Sequence, residues 1–221
     1  MDKIRIKKRE ILEYVYDQLN TYKMHFTDVE NARFHHNSSF QNGSSILENG
    51  VLCLNSQNDL GIKKISQETL LKMSAFDSHI NDVDGISLSV VGLTDLDPKK
   101  FVYDPFQNSA IDIIITSDIP TYRSTYHYDN EYVATMDITP DLFRAVDIRL
   151  INYIEEINSF EDLHKKNELA LELLKKFNYL REMAMVMKEM KLDIPLREMS
   201  NKSTYNLDVM KLAKTPQVLL K

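Results

Sequence analysis

Phe34-His35-His36-Asn37-Ser38-Ser39-Phe40-Gln41-Asn42-Gly43-Ser44-Ser45-Ile46-Leu47-Glu48-Asn49-Gly50-Val51-Leu52-Cys53-Leu54 is the stretch whose reading orders the rest of this 221-residue chain. Phe34-His35-His36 has the composition of a strand end. Asn37-Ser38-Ser39 and then Gln41-Asn42-Gly43 form a polar run suited to a loop. Ser44 or Ser45 offers the side-chain oxygen that satisfies orphan N–H groups at a helix start. Asn49-Gly50 stops that helix, because glycine tolerates the left-handed closing conformation. Val51 to Leu54 reads as the next strand. The local order is strand, polar loop, one or two helical turns, strand, with a histidine where strand meets loop.

Composition sets the bounds. Apolar residues make up 43% of the chain, enough for one domain with a sizeable core. Acidic residues outnumber basic ones by 33 to 27, and the net charge of −6 argues against a generic nucleic-acid binder. Lys3, Arg5, Lys7, Lys8 and Arg9 crowd the first ten residues and read as the solvated face of a helix. No run approaches the roughly 18 apolar residues of a membrane span, and no apolar block opens the chain, so no membrane and a cytoplasmic location are expected. Cys53 is the one cysteine, which leaves no disulfide framework and no metal-type cysteine pair. With His35 and His36 it is too sparse for zinc, so no metal is expected.

Along the chain, Ile4, Ile11, Val15, Leu19 and Tyr22 fall on one stripe of a predicted helix over residues 3–25. All five glycines lie between positions 43 and 92, a turn-dense region of the kind that builds pockets. Neither a Rossmann nor a P-loop phosphate motif occurs. Asn81-Asp82-Val83-Asp84-Gly85 reads as a turn and not a calcium loop, because Ile80 and Val91 would fill ligand positions without side-chain oxygen. Ile86 to Val91 alternates small hydroxyls with apolar residues, the pattern of a strand with one polar and one packed face. Thr94-Asp95-Leu96-Asp97-Pro98 and Tyr103-Asp104-Pro105 make the next stretch turn-rich. Ile111 to Thr116 sets four isoleucines around Asp112 and reads as a central strand.

Tyr122, Arg123, Tyr126, His127 and Tyr128 suggest an aromatic, partly basic loop. Residues 129–138 read as a strand with Tyr132, Ala134 and Met136 on one face and Glu131, Val133 and Thr135 on the other. A carboxylate in such an apolar strand needs a partner or a purpose. A further strand is expected around Ala145 to Leu150. From Ser159 to about Lys191 a long helix carries the stripe Leu169, Leu173, Phe177, Leu180, Ala184 and Met187. The tail from Asn201 suggests a short helix and a loose end.

Three of these segments resemble the ADP-ribosyltransferase-like superfamily, of the diphtheria-toxin and poly-ADP-ribose polymerase type. His36, Ser38, Ser39 and Asn42, with Ile46, Leu47 and Gly50, match its opening His-Gly-Thr-Ser-x-x-Asn and Ile-Leu-x-x-Gly elements, Asn37 replacing the usual Gly. Gly85 to Ser89 resembles the second element, though Ser87 stands where polymerase-like members have a nicotinamide-stacking tyrosine. Asn130, Glu131, Tyr132 and Asp137 match the strand that carries the family's catalytic glutamate. Asp129 lies two before it, where other branches place a residue linked to target choice. The matches run in family order over about residues 33–140.

The resemblance implies an α+β fold with an ADP-ribosyltransferase-like split β-sheet core at 31–155. The helical patterns outside it add an N-terminal amphipathic helix at 1–30, packed on the core, and a C-terminal helical extension of the same domain at 156–221. It implies transfer of ADP-ribose from NAD, as substrate, to a macromolecular acceptor with release of nicotinamide, or NAD glycohydrolysis, in a toxin or defence role. Glu131 and His36 would be catalytic, and His36, Ser38, Ser87 and Ser89 would bind NAD. A protein acceptor is expected over a nucleic acid, with an antitoxin or helical protein as a further partner. Two other readings stand beside it. One is an RNA 2′-phosphotransferase-like enzyme, which needs more cations than Arg33, Arg123 and the N-terminal lysines. The other is a catalytically silent nucleotide- or protein-binding module. Taken singly, His36 reads as a loop anchor and Glu131 as an exposed strand carboxylate; only their joint placement points to chemistry.

Overall fold

A computed structural model of the chain describes residues 3–62, 85–91, 110–123 and 131–221. The turns expected at Asn81 to Asp84, Thr94 to Pro98 and Tyr103 to Pro105 lie outside these residues, as do Tyr126, His127, Tyr128, Asp129 and Asn130. In chain order the elements are β1 (Lys3–Ile6), α1 (Ile11–Thr21), β2 (Lys23–Met24), β3 (Ala32–Ser39), α2 (Gly43–Asn49), α3 (Leu54–Asp59), β4 (Ile86–Val90), β5 (Ala110–Thr116), β6 (Thr121–Arg123) and β7 (Glu131–Ala134). Then come β8 (Phe143–Ile148), α4 (Leu150–Ser159), α5 (Leu163–Met190), β9 (Leu196–Met199), β10 (Thr204–Leu207), α6 (Val209–Leu212) and β11 (Gln217–Leu220). The chain is an α+β protein.

Among the described residues, nine strands form one mixed sheet in the order β2-β10-β9-β8-β5-β3-β4-β7-β6. Neighbours run antiparallel except β8 and β9, which are parallel. The run of isoleucines makes β5 a central strand, and every residue in it is buried. β-Branched side chains suit a pleated surface packed on both faces. Strands of residues 23–24 and 196–207 join this sheet, so it draws on chain outside 31–155.

Ile111, Ile113 and Ile115 of β5 enter the main core with Phe34, Leu88, Val146, Ile148 and Leu196. Ile11, Val15 and Leu19 of α1 and Leu173, Phe177, Leu180, Ala184 and Met187 of α5 belong to the same core. Each of the larger side chains among them contributes about 1.5–3 kcal/mol by leaving water, and the Ala184 methyl less. Ile114, Val133 and Ala145 point the other way: they are buried but stand outside that core.

Several expected boundaries move. Residues 3–25 are not one helix. Ile4 and Ile6 alternate with Lys3 and Arg5, a period-two pattern, and β1 pairs in parallel with β11. The expected loose tail is therefore a strand. The strand at Phe34-His35-His36 runs on to Ser39, because Asp112, Ile111 and Ala110 of β5 remain opposite. The polar loop shrinks to a 3-10 turn, Phe40–Asn42, with Phe40 buried.

Neither Ser44 nor Ser45 caps α2; Asn42 occupies the cap position, and its side chain makes no capping bond. Gly50 does end it, at φ +92°, and a Cβ there would collide with the Ile138 carbonyl. Val51 makes a single bridge to Ile138, and α3 begins at Leu54. The described part of the 129–138 strand ends at Ala134, leaving Met136 exposed beyond it. Ser159 ends α4, so the expected long helix starts later, as α5, with Asp162 as its cap accepting from His164 N at 2.8 Å. The missed helix α4 has its own stripe, Leu150, Ile151, Ile154 and Ile157, all buried.

Candidate functional site

β3, β4 and β7 are immediate neighbours, and the pleat of the sheet sorts their residues. His35 pairs with Ser89, and Ser89 pairs with Glu131. Paired residues on adjacent strands share a face, so positions 35, 89 and 131 form one transverse row. Ser87 is on this face too, and both serines are exposed, while Leu88 between them and Ile86 before them are buried. His36 is one step along from His35. It pairs with Ile113 and shares the side of Leu88 and Tyr132. Ser38 follows His36 by the same alternation. The predicted residues thus divide: Ser87, Ser89 and Glu131 occupy positions on one face, His36 and Ser38 on the other.

Each side chain has a local anchor. His36 is half-buried, with Nδ1 3.1 Å from the Ser87 carbonyl, to which the protonated nitrogen donates. Burial lowers its pKa; the Ser87 carbonyl and Asp112 pull upward and neighbouring His35 pushes further down. Ser38 Oγ accepts from Asn42 Nδ2 at 3.4 Å. The Asp137 carboxylate, part of the motif match, accepts from the Cys53 N–H at 2.6 Å and ties the chain after α2 to the end of the glutamate segment.

The face of Ser87 and Ser89 continues inward as a polar belt that sequence reading missed. Asn37, Asp112, Asp147 and Arg197 stand in register on β3, β5, β8 and β9. Asp112 is 4% exposed and accepts from three donors: Arg149 Nη1 at 2.7 Å, Asn37 Nδ2 at 3.1 Å and His35 Nδ1 at 3.2 Å. Burial alone would raise its pKa. The His35 hydrogen bond, the Arg149 charge and Asn37 outweigh that and hold it at about 2.

A carboxylate is acceptor-only when ionised, so His35 Nδ1 carries a proton and donates it to Asp112. The other ring nitrogen of His35, Nε2, is buried and has no hydrogen-bond partner among the described residues. Next along the belt, Arg197 grips Asp147 through Nε at 2.6 Å and Nη2 at 2.7 Å, a two-point contact. The signal in the sequence was Asp112 itself, a lone carboxylate among isoleucines; its partner Arg149 lies too far along the chain to be read with it.

The arrangement offers exposed hydroxyls, an imidazole oriented by an ionised carboxylate and a glutamate position, all on one side of three adjoining strands. Arg33 lies against rings, 5.1 Å from the Phe34 centroid and 5.6 Å from that of Tyr132. Among the described residues no group of three or more His, Cys, Asp or Glu could hold a metal, and no helix is long and apolar enough to cross a membrane. Compared with known protein families, with curated proteins and with solved structures, the chain finds no match.

Proposed function

We propose that this chain is an NAD-dependent ADP-ribosyltransferase with the split-sheet fold of that superfamily, acting as an NAD glycohydrolase when water is the acceptor. One observation carries the reading: the three motif-bearing strands adjoin, with Ser89 across from His35 on one side and Glu131 on the other. NAD joins a cationic nicotinamide to ribose. When that C–N bond breaks, its electron pair leaves with neutral nicotinamide and positive charge develops at the ribose, as in glycoside cleavage. Glu131 stabilises that charge and takes the proton of the incoming acceptor. Ser87 and Ser89 hold the nicotinamide end by hydrogen bonds. The histidine on the reacting face is His35, while His36, through the Ser87 carbonyl, holds β4 beside β3. A net charge of −6 favours a protein acceptor.

The test is nicotinamide release from NAD by the native chain and by Glu131→Gln, with circular dichroism to show both folded. Loss of one such stabilising group costs about 10²–10³ in turnover. The division of the predicted residues between two faces favours a second reading, a silent nucleotide-binding module. It requires NAD binding by calorimetry with no nicotinamide release from either protein. The engagement of Arg149 by Asp112 and of Arg33 by aromatic rings weighs against a phosphotransferase, which needs free cations.

A further inference from the structure

β1 and β11 form a two-stranded parallel sheet apart from the central one. Its two edges differ. On β11 the outward backbone of Val218 is closed by α5: Asn178 Nδ2 donates to the Val218 carbonyl at 2.9 Å, and the Val218 N–H donates to Asn178 Oδ1 at 3.0 Å. On β1 the Ile6 carbonyl accepts from the Lys221 N–H and so faces β11. In a parallel pair every second residue faces the partner, so Ile4 does likewise and the backbone groups of Lys3 and Arg5 point outward. Nothing among the described residues bonds them.

Ile4 sits on the side of Ile6 and Val218, which are 6% and 1% exposed, yet is itself 37% exposed, as an apolar residue at an unfinished edge is. Lys3, Arg5, Lys8 and Arg9 are exposed and make no ion pair among the described residues; Lys7 reaches Glu10 at 3.9 Å.

We propose that the outer edge of β1 receives an extended acidic segment of a partner protein, which adds a third strand, pairs with the backbone of Lys3 and Arg5, and covers Ile4. Edge pairing supplies main-chain hydrogen bonds, and alternate side chains supply specificity. A second copy of this chain is a poor occupant, because β1 against β1 sets lysine and arginine against their like. The positive edge on a chain of net charge −6 selects carboxylates.

The probe is a fluorescein-labelled peptide of alternating glutamate and valine, seven residues long, followed by anisotropy and by amide hydrogen exchange of the intact chain. It should bind at about 0.05 M salt and weaken at about 0.3 M. It should also slow exchange at the Lys3 and Arg5 amides and lose about tenfold in affinity for the Lys3→Glu/Arg5→Glu variant, whose altered side chains are solvent-exposed. Four results would overturn the proposal: no binding at millimolar peptide; equal binding of a peptide with its glutamates grouped at one end; binding without protection at Lys3 and Arg5; or tighter binding of a single-stranded thymidine oligomer. Dimerisation of the chain through this edge would overturn it as well.

Discussion

Phe34, Ile113, Val146 and Leu196 lie on one side of the central sheet, and one position away on the same strands lie His35, Asp112, Asp147 and Arg197 on the other. The first side is a continuous core. The second is a belt of ion pairs and hydrogen bonds that ends at exposed Ser87 and Ser89. Stability explains the first and not the second. Burying apolar side chains is favourable in proportion to area, whereas a buried ion pair roughly breaks even against hydrophobic residues of like size. A sheet could be packed with isoleucine on both faces at no loss. That this one is not, on the side that carries the glutamate strand, is the physical reason to look for function there. The core side holds one buried carboxylate, Glu198, pushed up to about 8 by burial, and the belt holds two: Asp112 is held down at about 2 by its donors, while burial raises Asp147.

The largest effect that sharpens this contrast is removal of one member of the belt. Asp112→Ala leaves the Arg149 guanidinium and His35 without their acceptor and should cost about 3–5 kcal/mol in urea unfolding. Replacing Asp112 and Arg149 together by leucine and methionine should recover most of that loss. If the single and double variants were equally destabilised, the belt would be ordinary packing and the contrast would fail.

Next comes pH. Glu198 is 0% exposed, on the core side, with both carboxylate oxygens accepting from the first turn of α4, Leu150 N at 3.2 Å and Ile151 N at 3.0 Å. Burial outweighs these bonds and raises its pKa from 4.5 to about 8. Between those values the folded state holds a proton the unfolded state has released, so stability falls as pH rises, by at most about 1.4 kcal/mol per unit. Glu198→Gln should flatten the slope. Asp112 acts in the opposite sense and elsewhere: its contribution is present above the unfolded pKa near 3.8 and is lost as pH falls toward 2. A wild-type profile that is level from pH 5 to 8 would contradict the assignment to Glu198.

What could be read from residues alone follows the range of the interactions. β5 was legible because four β-branched residues in a row state a buried strand locally. The α5 stripe was legible at a period of 3.6, and Gly50 ended α2 for a reason contained in glycine itself. β1 and β11 were not: each has few residues, and each is a strand only because the other, at the far end of the chain, supplies hydrogen bonds. Asn37 to Ser39 read as loop because their ladder partners lie on β5, far along the chain. The face of each predicted residue was also hidden, since a shift of one position along a strand reverses it. That is why His36, and not His35, was expected to join the glutamate.

The most direct test of the functional face is therefore a comparison of these two adjacent rings. With histidine labelled by carbon-13 and assigned through His35→Gln and His36→Gln, addition of NAD to the native chain should shift the His35 resonance. His36, whose burial already places its pKa below the ordinary 6.5, should stay where it was. Movement of His36 with His35 unchanged, or of neither ring at saturating NAD, would contradict the placement of the site on the side of Ser89 and Asp112.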